Sequence, residues 1–276
     1  MSSKRSQRRG PRHERRKQPP APTSQVAVRP LRRKLIGIAC LGFIAAALCF
    51  GARFWTSSRE QSPDLPPPHP LARDNASSNP PAGRPALDVQ AFNARVNHGN
   101  ELLAEGKPAE AVQVLTEAAQ MNPEDEDVHY DLGLALTRLG KLDEAIQQYG
   151  KALEIFPNYV EAHNNLGNLL MRTGQAEEAI KHLETAIKIM PDYASAHNNL
   201  GTALQRTGRT NEAILHFREA IRIKPDYWEA HFNVGTSCLQ SGSINEARTE
   251  LETVLRLHPD FQPARDALAA MDSSPK

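Results

Sequence analysis

Apolar and small residues return in register every 34 positions from about Phe92 to Phe261. The stretch Ala162-His163-Asn164-Asn165-Leu166-Gly167 recurs as Ala196-His197-Asn198-Asn199-Leu200-Gly201, and again as Ala230-His231-Phe232-Asn233-Val234-Gly235. A period of this length marks stacked supersecondary units rather than one closed core. Each unit reads as two helices. Gly99, Gly133, Gly167, Gly201 and Gly235 mark the middle of the first, where a missing Cβ lets a partner helix approach closely. Ala111, Ala145, Ala179, Ala213 and Ala247 are each followed four residues later by Leu115, Tyr149, Leu183, Phe217 or Leu251, the helical spacing of one buried face. Gly106, Gly140, Gly174, Gly208 and Gly242 punctuate the turn between the two helices. Pro123, Pro157, Pro191, Pro225 and Pro259 close the second helix.

These columns, agreeing in phase over about three-fifths of the chain, resemble the tetratricopeptide (TPR) family. Aligned on the prolines, the repeats are 92–125, 126–159, 160–193, 194–227 and 228–261, followed by an amphipathic cap at 262–272 that covers the last apolar face. The first repeat departs furthest from the pattern, with His98 where Leu132, Leu166 and Leu200 stand. The resemblance implies an all-α fold for 87–272: an α-solenoid of five helix-turn-helix repeats with a C-terminal capping helix. It also implies that the first helix of each pair lines an inner, concave wall.

One amide-type position on those first helices is filled in every repeat: Asn97, Asp131, Asn165, Asn199 and Asn233. Asn164, Asn168 and Asn198 stand beside it, and Arg138, Arg172 and Arg206 recur once per repeat. Asparagine offers both a donor and an acceptor, the complement of a peptide backbone, so such a ladder suits an extended segment with little regard to its side chains. The array resembles the asparagine ladder of O-linked N-acetylglucosamine transferase repeats, which implies an extended-peptide groove. The alternative is that the amides satisfy polar groups between repeats. The TPR clamp for chaperone C-termini needs cations around two asparagines. The corresponding positions Asn164, Asn168, Asn199, Glu229 and Asn233 hold none, which argues against that mode. His129, His163, His197 and His231 also lie 34 apart, too distant from one another for shared metal ligation, and read as packed structural histidines.

The front of the chain has a different character. Residues 1–34 hold twelve Lys and Arg against the single Glu14, a net +11, while residues 87–276 hold seventeen basic and twenty-eight acidic residues, a net −11. The basic segment has too little apolar content to offset chain entropy and is expected to be disordered. It lacks the interleaved aromatics of a nucleic-acid surface. From Leu35 to Ala52 no charge occurs; as a helix this run would span about 27 Å, enough for a single-pass signal anchor. The preceding cations would hold the N-terminus in the cytoplasm and place the repeats on the far side, in a periplasm or lumen. An exported or organellar protein freed by signal cleavage is the other reading, since Arg32-Arg33 and Ala45-Ala46-Ala47 partly fit export and cleavage patterns. Residues 53–86 form a proline-rich spacer, with eight prolines between Gln61 and Ala86.

Catalytic signatures are missing: no phosphate-binding loop, dinucleotide turn, zincin spacing or nucleophile elbow occurs. Cys238 is alone in the repeat region, so no disulfide framework or cysteine metal site is available there. The expected chain is therefore no enzyme and takes no cofactor, small-molecule substrate or nucleic acid. It is a membrane-anchored scaffold that holds an extended segment of a protein partner. The alternative role is a structural subunit of a larger membrane complex, assembled through its convex face or terminal repeats.

Overall fold

The computed structural model describes residues 87–273. The basic segment 1–34, the apolar run 35–52 and the spacer up to residue 86 lie outside the described residues, and with them the expected membrane anchor. Among the described residues, no helix is long and apolar enough to cross a membrane.

The described chain is all helix: α1 (Val89–Ala104), α2 (Pro108–Met121), α3 (Glu126–Arg138), α4 (Leu142–Ile155), α5 (Val160–Arg172), α6 (Ala176–Ile189), α7 (Ala194–Arg206), α8 (Thr210–Ile223), α9 (Trp228–Ser241), α10 (Ile244–Leu257) and α11 (Gln262–Ser273). Helix entry is set locally at α1 and α3, where Asp88 and Asp125 accept from the backbone N–H of Ala91 and Val128, each at 3.0 Å. The first helix of each pair ends where glycine can take a left-handed backbone; Gly208, with φ of 82°, turns the chain from α7 into α8. Every second helix stops two residues before its proline.

Packing is between neighbours in sequence. Each first helix packs on its own second helix, each second helix packs on the first helix of the next pair, and α11 closes on α10. First helices also touch directly, α1 on α3, α5 on α7 and α7 on α9, and Asn165 of α5 reaches Tyr130 of α3. At the centre of each pair the mid-helix glycine meets the large residue of its partner. A Cβ added to Gly201 would come within 2.5 Å of the Phe217 ring, so this position admits nothing larger than glycine without displacing the core. Ala145, Ala179, Ala213 and Ala247 are wholly buried beside Tyr149, Leu183, Phe217 and Leu251. α11 covers Leu251, Val254 and Phe261 with Ala264 and Leu268, so the last pair has a lid.

Candidate functional site

Side chains on the inner face meet across repeats at a fixed offset of 35 residues. Asn199 donates from Nδ2 to Asn164 Oδ1 at 2.9 Å, and Asn233 donates to Asn198 Oδ1 at 2.9 Å. One repeat earlier, Asn165 donates to the Tyr130 hydroxyl at 3.0 Å. Each rung thus joins α3 to α5, α5 to α7 and α7 to α9. Asn164 and Asn198 are buried, whereas Asn165, Asn199 and Asn233 are half-buried, and Asn168, one turn further along α5, is exposed. An amide that spends one N–H on the preceding repeat retains a second N–H and carbonyl lone pairs.

The ladder does not continue to the N-terminal end. The residue 35 before Asp131 is Val96, which is buried and has nothing polar to offer. Asp131 instead takes a side-chain hydrogen bond from Asn100, and Asn97 stands exposed on α1. Burial, with Asp127 and Asp125 nearby, pushes the Asp131 carboxyl up to about 7 despite that hydrogen bond. Beside it, Tyr130 stacks on Tyr159 with ring centroids 4.9 Å apart, and the Tyr159 hydroxyl donates to Asp127 Oδ1 at 2.8 Å. The inner face therefore has an aromatic and acidic end at α3 and an amide stretch over α5, α7 and α9.

Two of the recurring arginines are engaged with backbone. Arg206 Nη1 donates to the Met171 carbonyl at 2.8 Å, and Arg138 Nη1 donates to the Leu103 carbonyl. Both acceptors lie in the last turn of the preceding first helix, where carbonyls lack an intrahelical partner. Arg172 is half-buried between them.

The histidine column is structural. His129, His163, His197 and His231 are buried, and each Nε2 donates to the carbonyl of the proline six residues before it, at 2.9–3.1 Å. On the other side, Nδ1 faces the residue 19 positions later on the second helix: Gln148, His182, His216 and Glu250 in turn. The second histidine set, His182 and His216, is a partner column that reading the first helices alone overlooks. His163 and His182 share one proton between their Nδ1 atoms at 2.9 Å, and burial depresses both pKa values. His231 Nδ1 faces Glu250 Oε2 at 2.6 Å, and that hydrogen bond raises the ring's pKa against the opposing effect of burial. Among the described residues, no group of three or more His, Cys, Asp or Glu side chains could hold a metal ion.

A depression of about 280 Å³ opens on the inner face over the amide stretch. Asn164, Asn165, Asn168, Asn198 and Asn199 line it together with Leu134, Thr137, Arg172, Ser195, Tyr227 and Glu229. Ser195 and Tyr227 escape sequence reasoning because they depart from the repeated amide column, and Glu229 enters it only as a clamp position that holds no cation. Their signal is position at the start of a first helix: Ser195 and Glu229 lie in the first turns of α7 and α9, and Tyr227 immediately precedes α9.

Family models for the tetratricopeptide repeat match residues 159–226, 134–174, and 102–150 with 204–271, and together run unbroken from 102 to 271. The chain is a tetratricopeptide-repeat protein. Solved structures agree with this fold. The TPR domain superposes on residues 41 to the end of MamA from Desulfovibrio magneticus RS-1 with a TM-score of 0.57 at 24% identity, covering 62% of this chain and 97% of that one. YrrB, described as a TPR protein with an unusual peptide-binding site, gives 0.55 at 20% identity, covering 63% and 90%. PilF of Pseudomonas aeruginosa gives 0.56 at 21% identity, covering 66% and 89%. No curated protein matches the chain. The TPR fold is that of a protein-interaction scaffold.

Proposed function

We propose that this TPR protein is a membrane-anchored scaffold whose inner face holds an extended segment of a partner protein. The observation that carries the reading is the row of half-buried amides, Asn165, Asn199 and Asn233, each held by one bond to the preceding repeat, with exposed Asn168 beside them over a 280 Å³ depression. Amides fixed by such bonds are preorganised, and although Asn165 Oδ1 also accepts from Asn164, the donors and acceptors left on Asn199, Asn233 and Asn168 suit the backbone of an extended chain, which presents both. The peptide-binding site named for YrrB adds support by analogy of fold. The anchor is the uncharged run 35–52, which with the spacer 53–86 would display the domain on the far side of the membrane.

Asn168 gives the cleaner test, because it is exposed and takes part in no rung, whereas Asn199 also links repeats. A photo-cross-linking side chain placed at position 168 of the full chain in its native membrane should capture a partner, and one at the outer-face position Lys151 should not. Capture from 151 alone, or equal capture from 168 by a form that also carries Asn165→Ala and Asn199→Ala with unchanged thermal unfolding, would refute the groove.

A further inference from the structure

The spacer that leads into the fold contains one segment suited to an amide row. Between Pro63 and Pro85 a single stretch of more than three residues lacks proline, Leu71 to Asn79, so there a run of backbone N–H groups stands beside carbonyls. Proline elsewhere in the spacer removes the donors that asparagine carbonyls require. The nine residues, extended at about 3.3 Å each, measure about 30 Å. The inner-face depression is lined in turn by Thr137 of α3, Asn168 of α5, Asn199 of α7 and Glu229 of α9. Three intervals between neighbouring helices, at about 10 Å each, give the same length.

The tether is long enough. The chain enters α1 at Asp88, and α3 is the next first helix, about 10 Å away and 13 residues, or about 20 Å, long. Residues 80–87 cover about 25 Å at the roughly 3.1 Å per residue of a proline-rich chain, so Asn79 reaches the α3 end of the depression. From there the segment runs back toward α9 and brings Arg73 to the end where Glu229 is the one carboxylate of the lining.

We propose that residues 71–79 occupy the inner face of their own chain and hold it closed until a partner displaces them. The inference rests on the groove reading above and names what competes for that groove. A groove that reads backbone with little regard to side chains has no means of rejecting such a segment, and a short tether presents it at an effective concentration of about 1 mM. With a dissociation constant of about 0.1 mM for the free segment, the tethered one fills about nine grooves in ten and weakens partner binding about tenfold. Spacer and repeats both follow the apolar run 35–52, so a membrane crossed by that run does not separate them.

The test uses the purified full chain in detergent, with a photo-cross-linking side chain at position 168 and, as probe, a fluorescent peptide of sequence 71–79. Position 168 should be joined to residues 71–79 of the same chain, and not to the other copy in a mixture of isotope-labelled and unlabelled chains. Replacing residues 72–78 with proline removes their N–H groups at nearly constant length and outside the helices, and this form should bind the peptide about tenfold more tightly than wild type does. Adding Asn165→Ala and Asn199→Ala, with unchanged unfolding temperature, should weaken that binding at least tenfold. Equal peptide binding by wild type and the proline form, no binding by the proline form, or cross-links confined to other segments or other copies would overturn the closure, while partner capture from position 168 in the native membrane would still stand for the groove. Peptide binding to the proline form that survives loss of the amides would overturn both.

Discussion

Asp131 occupies the one rung where the amide series carries a charge, and its surroundings do not favour that charge. Burial raises its carboxyl to about 7, so between the ordinary carboxylate range and 7 the folded protein binds a proton that the unfolded chain does not. Stability contributed by this group therefore declines as pH rises through that window. Asp131→Asn keeps a partner for Asn100 without the charge; urea unfolding at pH 8 should show a gain of about 1–3 kcal/mol that shrinks toward pH 4. At Gly201 the constraint is steric: Gly201→Ala drives a methyl group into Phe217 and should cost about 1–3 kcal/mol, measured as a lowered unfolding temperature.

Within a helix pair, the first-helix histidine ties the preceding proline turn to the second helix. Burial lowers the pKa of His163, His182 and His216, so the stability these groups contribute is complete above the ordinary histidine value and is lost as pH falls below it. Glu178 beside His182 and Glu212 and Glu219 beside His216 oppose that depression, and Arg209 reinforces it at His216, but desolvation outweighs them. His231 has the opposite sign: Glu250 raises its pKa, so its contribution is present at low pH and lost as pH rises through the raised value. In the Asp131→Asn background, where the opposing carboxyl is absent, the urea midpoint should fall from pH 7 to pH 5. Replacing His182 and His216 by Gln, the residue at Gln148, should flatten that fall, whereas Glu250→Gln should steepen it.

Across the whole molecule, stability is a sum over neighbouring repeats, so its ends are its weak points. Deleting 262–276 uncovers Leu251, Val254 and the ring cluster of Trp228, Phe232 and Phe261. Hydrogen exchange should then quicken in α9 and α10 while α3 to α6 keep their protection; uniform loss would show that the repeats unfold as one body. The repeat columns themselves were readable, because period, glycine and proline report short-range geometry that every repeat shares. Less readable was the use of the polar columns. Asn164, a groove candidate by sequence, lines the depression and is also the acceptor for Asn199, and Arg206, a candidate beside the amide column, also binds the Met171 carbonyl.

Sequence by itself determined the helix pairs, their turns, the close contacts at glycine and alanine, and the capping of the last apolar face. Each follows from spacing along one or two helices. Tertiary structure alone decided which amides face each other and which arginines reach the preceding helix. Those outcomes depend on the rotation from one repeat to the next, which brings residue i against i+35 rather than i+34, and the period of a sequence does not record that angle.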